Sequence, residues 1–201
     1  MPRRLAACLL LLLSGVARAA APQPPVVEAR AWLLLDATSG QSIASRNPKE
    51  RIEPASLTKL MTAYLTFAAL KSNALRLTQT VPVSERAWRA AGSRMFIEPR
   101  RPVTVEELMH GMIVQSGNDA CIALSEIIAG SEDAFTERMN REAQRLGMKN
   151  THFTNSSGLP DPGHYSTASD LALLASSIIR DYPEYYKLYS QREYQIGRAH
   201  V

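Results

Sequence analysis

Cysteine is almost missing from these 201 residues: Cys8 and Cys121 are the only two. A disulfide framework is thereby excluded, and so is a cysteine-rich zinc site. Histidine is equally sparse, and His110, His152, His164 and His200 have no metal-ligand spacing. Neither a metal nor any other cofactor is therefore expected. Aromatics make up only 6%, and Tyr182, Tyr185, Tyr186 and Tyr189 read as packing at a helix edge rather than a base-stacking platform. No internal repeat or low-complexity tract occurs. The one long apolar run, residues 5–16, is too short to span a bilayer. What is present is ordinary for a globular chain, 45% hydrophobic and 21% charged, enough for one good-sized core or a domain with a small annex.

The apolar run has a different use. Arg3 and Arg4 precede it, and "ARAAA" at residues 17–21 supplies small residues of A-x-A type. Residues 1–21 are read as a secretory signal, cleaved after Ala19 or Ala21. Leu5-Ala6-Ala7-Cys8 resembles a lipoprotein box, but the apolar run follows Cys8 instead of preceding it. Cleavage removes Arg3, Arg4 and Arg18 and lowers the formal charge from +4 to +1. Such a balance offers nucleic acid no electrostatic footprint. It also leaves Cys121 alone, a small buried residue with no disulfide partner.

Beyond "PQPP" at residues 22–25, the stretch "RAWLLLDATSGQSIASRNP" reads as a hairpin. Its first strand, residues 32–36, is expected to be buried, and Thr38-Ser39-Gly40 forms the turn. Apolar residues at 57, 60, 61, 64, 65 and 68 mark a helix. Residues 92–102, "GSRMFIEPRRP", form an irregular loop with Arg100 and Arg101 solvated. A helix capped by Thr104 with Glu107 follows. Further helices are expected from Asn118 to Ala129, after Gly130-Ser131 to about Leu146, and from a Thr167/Asp170 capping box to Asp181. Helices dominate this stretch and strands the front, so the fold class is α/β, or more loosely α+β, with a helical insertion.

Two short motifs carry chemistry. In "PASLTKLMTAYL", Ser56 and Lys59 lie three residues apart at a helix start. One reading is a helix cap and a solvated lysine; the other is a nucleophile and its base. The face opposite the apolar stripe carries Lys59, Thr62, Ala63 and Thr66, and no charge occurs again before Lys71. A helix so uncharged is central and buried. Burial disfavours the lysine cation and makes a neutral amine base plausible. The second motif, Ser116-Gly117-Asn118, joins two helices, with Gly117 expected to permit the sharp bend. Ser116 or Asn118 could simply cap the next helix. Together and in this order, S-x-x-K and S-x-N are the signature of serine acyl-enzymes acting on D-Ala-D-Ala peptides and β-lactams.

From Trp32 to about Tyr189 the chain resembles the low-molecular-mass penicillin-binding proteins, the D-alanyl-D-alanine carboxypeptidases of peptidase family S11. The matching stretches are "PASLTKLMTAYL", "GSRMFIEP", "MIVQSGNDACIALSEIIAGSEDAF", "MNREAQRLGMKNTHFTNSSGLPDPGHYSTASDLALLA" and "IIRDYPEYYKLYS". The resemblance implies a serine β-lactamase/D,D-transpeptidase-like fold, with an antiparallel sheet and a helical subdomain. It implies Ser56 as the acylated nucleophile and Lys59 as general base. Ser116 would relay protons, and the Asn118 amide would hold the substrate. The implied partners are a peptidoglycan stem pentapeptide ending in D-Ala-D-Ala and β-lactams. The implied place is the periplasm, with a C-terminal amphipathic helix tethering the enzyme to the inner membrane. A D,D-endopeptidase, or a module that binds β-lactams or muropeptides without turnover, is the alternative. A class A β-lactamase is disfavoured by Gly117, where that class has Asp, and by the lack of an E-x-x-L-N run.

The chain also departs from the family pattern. No K-T-G or K-S-G run follows Ser116, so the chain is expected to stop before the last core strands. Residues 22–195 would then be a partial catalytic domain, inactive by itself. The final "IGRAHV", residues 196–201, leaves the pattern abruptly and back-translates as ATC GGA AGA GCA CAC GTC, which looks like sequencing-adapter DNA; it is expected to be non-native.

Overall fold

A computed structural model describes residues 26–196 and 199–200. The expected signal, residues 1–21, lies outside the described residues. Two strands open the described part, β1 (Trp32–Leu35) and β2 (Ser42–Arg46), paired antiparallel. The Asp36 carboxylate closes their turn by accepting from the N–H groups of Thr38 (2.8 Å) and Ser39 (3.1 Å), an Asx-turn. After a 3₁₀ turn at Ala55–Thr58 comes the long helix α1 (Lys59–Lys71). Then follow β3 (Thr80–Val81), α2 (Glu85–Trp88), β4 (Val103–Thr104) and α3 (Val105–Val114). The chain continues through α4 (Asn118–Ala129), α5 (Glu132–Arg145), α6 (Ala168–Asp181) and α7 (Pro183–Tyr186). A 3₁₀ turn, Lys187–Ser190, precedes β5 (Gln195–Ile196) and β6 (Ala199–His200), which pair antiparallel. Of the expected non-native tail, residues 197, 198 and 201 lie outside the described residues. Among the described residues no helix is long and apolar enough to cross a membrane.

Helix α1 forms the centre, contacting α3, α4, α5 and α6. Met61 and Phe67 are fully buried on it, and so are Thr62, Ala63 and Thr66 of the face opposite its apolar stripe. Each threonine hydroxyl finds a carbonyl, Thr62 that of Ser156 at 2.6 Å and Thr66 that of Thr62 at 2.8 Å, which makes polar groups tolerable in a core. The uncharged face read from the sequence is indeed enclosed. Tyr182 packs edge-on against Tyr64 and Phe67, and Tyr185 stacks on Phe67, so these tyrosines close the α1 side of the core.

The helix boundaries follow their punctuation. Thr104 and Glu107 form both bonds of a capping box. Ser131 caps α5, and Gly130 ends α4 with φ +85°. Thr167 caps α6 as expected, but Asp170 does not complete a box. Its carboxylate turns instead to the Asn150 N–H and the Thr151 hydroxyl, both at 2.8 Å, tying α6 to a distant loop. The described strands form three separate antiparallel pairs, which favours α+β over α/β. β1 is not a buried strand: α6 covers one side, while Leu34 and Ile43 are 50% and 63% exposed.

Candidate active site

Ser56 stands in the 3₁₀ turn that leads into α1, on an exposed position. Its hydroxyl caps nothing: neither helical segment here has a side-chain cap. Instead Ser56 Oγ accepts from Lys59 Nζ at 3.3 Å and from Ser116 Oγ at 3.2 Å. Lys59 is only 7% exposed, and its ammonium also donates to the Ser157 carbonyl at 2.7 Å. Burial holds the Lys59 pKa below the usual lysine value, opposed by Cys121. Cys121 is itself fully buried, and its thiol is pushed up to about 12. A neutral thiol gives little support to the Lys59 cation, so burial is the effect that wins.

The turn is strained where it presents Ser56. Ala55 has φ +45°, a conformation that disfavours residues with a Cβ by about 1–2 kcal/mol. Gly158 permits it by close approach: a Cβ there would fall 1.8 Å from the Ala55 carbonyl oxygen, and its own φ is +88°. Gly158→Ala is therefore expected to destabilise the fold by about 3 kcal/mol or more and to displace the Ser56 turn. Thermal unfolding checks it, and a variant as stable as the wild type would contradict the packing argument.

The second motif arrives from α3 and α4. Ser116, not Gly117, takes the left-handed conformation, with φ +59°. Gly117 has an ordinary φ of −63°, so its expected role as the bend is corrected. It is needed for space: a Cβ would lie 2.9 Å from Asp119 Oδ1 and 3.2 Å from the Gly111 carbonyl. Asn118 opens α4 and is 6% exposed. Its backbone N–H donates to the Ser93 carbonyl and its Nδ2 to the Ala91 carbonyl, both at 2.7 Å. Part of the Asn118 amide is thus committed to the loop at residues 91–97. The structure brings Ser56, Lys59 and Ser116 into one hydrogen-bonded group, with Asn118 two residues from Ser116 and fixed by that loop.

Several residues here carry no obvious signal in the sequence. Asp119 is fully buried and accepts from the N–H groups of Met95 (3.0 Å) and Ile97 (3.2 Å). Between them Phe96 is held at φ +61° and 67% exposed. An acid in the first turn of a helix reads as a complement to the helix dipole, which hides this second task. The segment 155–159 is gathered by Asn155 Oδ1, which accepts from the N–H groups of Ser157, Gly158 and Leu159. His164 is buried in the fold. Its Nδ1 accepts from the Thr154 N–H at 3.0 Å, so Nε2 carries the proton and donates to Thr58 Oγ1 at 2.7 Å. Burial lowers its pKa, in keeping with a neutral ring. Arg101 pairs with Glu98 on the exposed loop. Among the described residues no three His, Cys, Asp or Glu side chains converge as a metal site.

Comparison with known proteins gives a consistent picture. Residues 18–200 match the family described as D-alanyl-D-alanine carboxypeptidase, Peptidase_S11. The chain is 43% identical over 182 residues to the D-alanyl-D-alanine carboxypeptidase DacC of Escherichia coli (strain K12), covering 88% of this chain and 46% of that protein. Its fold superimposes on penicillin binding protein 5 from Haemophilus influenzae with a TM-score of 0.86 and 42% identity, covering 90% of this chain and 53% of that one. A second match is penicillin-binding protein D2 from Listeria monocytogenes in its ampicillin-bound form, with a TM-score of 0.79 and 30% identity, covering 89% and 73%. The chain spans about half the length of the curated relatives it matches.

Proposed function

The chain belongs to the D-alanyl-D-alanine carboxypeptidase family Peptidase_S11, and from that premise we propose that it carries the acylating half of a serine-type D-Ala-D-Ala carboxypeptidase. The substrate is a peptidoglycan stem pentapeptide, and β-lactams acylate the same serine. One observation supports the reading above all. A serine exposed on a strained turn has its hydroxyl between the ammonium of a buried lysine and a second serine. An exposed cap followed by a solvated lysine would have neither feature.

In this reading the neutral Lys59 amine removes the Ser56 proton as Ser56 Oγ attacks the carbonyl carbon between the two D-alanines. The Ser56 N–H, at the head of the helix, supplies one donor to the developing oxyanion. As the C–N bond breaks, Ser116 gives its proton to the departing amine of the terminal D-Ala and is reprotonated from Lys59, which returns to the neutral amine. Asn118 orients the peptide through the part of its amide not held by Ala91. Water then cleaves the ester and restores Ser56. Arg3, Arg4, the apolar run and "ARAAA" support work outside the cytoplasm, in the periplasm. Residues 22–195 supply the part of the catalytic domain that holds this group.

The test is release of free D-Ala from a synthetic pentapeptide by the protein carrying this chain. Catalytic release is expected, with covalent labelling by fluorescent penicillin. Labelling without release would overturn the carboxypeptidase reading in favour of a binding module.

A further inference from the structure

Glu132 is a carboxylate almost out of reach of water, 5% exposed, in the first turn of α5. Burying such a group is costly unless it is well paired. Its Oε1 accepts from the Ser156 N–H at 3.0 Å and from the Ser156 hydroxyl at 2.7 Å. Its Oε2 takes the Arg86 guanidinium from α2. The Ser156 carbonyl is held from α1 by Thr62 Oγ1 at 2.6 Å. The next carbonyl along, that of Ser157, is the one that accepts from Lys59 Nζ at 2.7 Å. Ser156 is thus clamped on both sides, one residue from the acceptor that the lysine uses.

A neutral lysine amine has two N–H groups and one lone pair, so it is a good base only if the lone pair faces its proton donor. We infer that Glu132 is a positioning residue for the Ser56–Lys59 pair: by fixing Ser156 it sets the Ser157 carbonyl, which takes one N–H of Lys59 and turns the lone pair toward Ser56 Oγ. This rests on Lys59 being the base for Ser56. Several other titratable groups on the helices packed around α1 are engaged elsewhere. Asp119 of α4 binds the Met95 and Ile97 N–H groups, and His110 of α3 binds Gln191. Asp181 of α6 and Arg145 of α5 meet at the Tyr64 hydroxyl. Cys121 of α4 interacts with Lys59 but stays a neutral thiol.

The experiment measures the rate of acylation by fluorescent penicillin against pH in the protein carrying this chain. Glu132→Ala is expected to slow acylation roughly tenfold, the worth of one orienting hydrogen bond. It should also move the acidic limb of the profile to higher pH, as water reaches Lys59 and its pKa rises toward normal. Glu132→Gln, which keeps an oxygen for Ser156, should recover most of the rate and the original limb. A folded Glu132→Ala protein with wild-type rate and limb would overturn the inference, as would a Gln variant no better than the Ala variant. Should Glu132→Ala not fold, Ser156→Ala removes only the hydroxyl bond and is expected to slow acylation about threefold with the same displacement of the limb; no change there overturns the inference too. Ser56→Ala run in parallel keeps the two readings apart. Its full labelling would remove the nucleophile assignment itself, whereas an unlabelled Ser56→Ala beside an unaffected Glu132→Ala removes only the role of Glu132.

Discussion

Replacing Ser56 by alanine is expected to abolish covalent labelling by penicillin and to cut D-Ala release by about 10⁴-fold or more, with the fold intact. The two halves of this expectation have separate origins. Chemically, the acyl-enzyme needs an oxygen at this position, and neither neighbour can replace it. Ser116 Oγ lies 3.2 Å away on another turn, and Lys59 Nζ is held by the Ser157 carbonyl. Structurally, Ser56 is exposed and its hydroxyl caps no helix. Alanine therefore removes two long side-chain bonds and no packing, a change within about 1 kcal/mol. Labelling followed on a gel and urea unfolding measure the two halves. Undiminished D-Ala release would remove Ser56 from the mechanism. Loss of release together with loss of folding would return it to a structural role.

That separation could be drawn in part from the sequence. The stretch from Lys59 to Lys71 has no charge between its ends, and α1 is enclosed by four other helices; composition on a helical face is enough to foresee that. Helix starts and stops were equally readable at Thr104, Ser131, Gly130 and Thr167, because caps act over three or four residues of local chain. What could not be read depends on partners far along the chain. The acceptor for Lys59 is the backbone carbonyl of Ser157, 98 residues away, and any residue could have supplied it. Gly158 looks like one more loop glycine until the Ala55 carbonyl is found against it. The apolar run of β1 told of a strand but not of how many neighbours it has. The two-residue strands β3 and β4 are too short to leave a periodic trace.

Lys59→Met is the sharper experiment, because it changes activity and the pH dependence of stability by the same physical cause. Methionine matches the length of the lysine stem and belongs in the core that surrounds it, so the fold should persist. Acylation should fall by about 10³-fold, the usual worth of a general base. In the wild type, acylation should rise with pH as Lys59 loses its proton, and this rise should vanish in the variant. Stability follows from the same lowered pKa. Between the folded value and the unfolded one, near 10.5, the unfolded chain binds more protons than the folded chain. Stability therefore rises with pH across that window. Below it the cost of burying the cation is felt in full; above it the cost is gone. The methionine variant has no such cost, though it leaves the buried Ser157 carbonyl without its donor, a loss of about 1–3 kcal/mol. At fixed pH the two effects oppose each other, so a single melting temperature decides nothing. The difference between the variants decides it: wild type should gain on Lys59→Met as pH is raised toward 10.5. A difference that stays constant from pH 6 to 10 would mean that Lys59 titrates as an ordinary surface lysine, and the case for it as a base poised to act near neutral pH would fail with it.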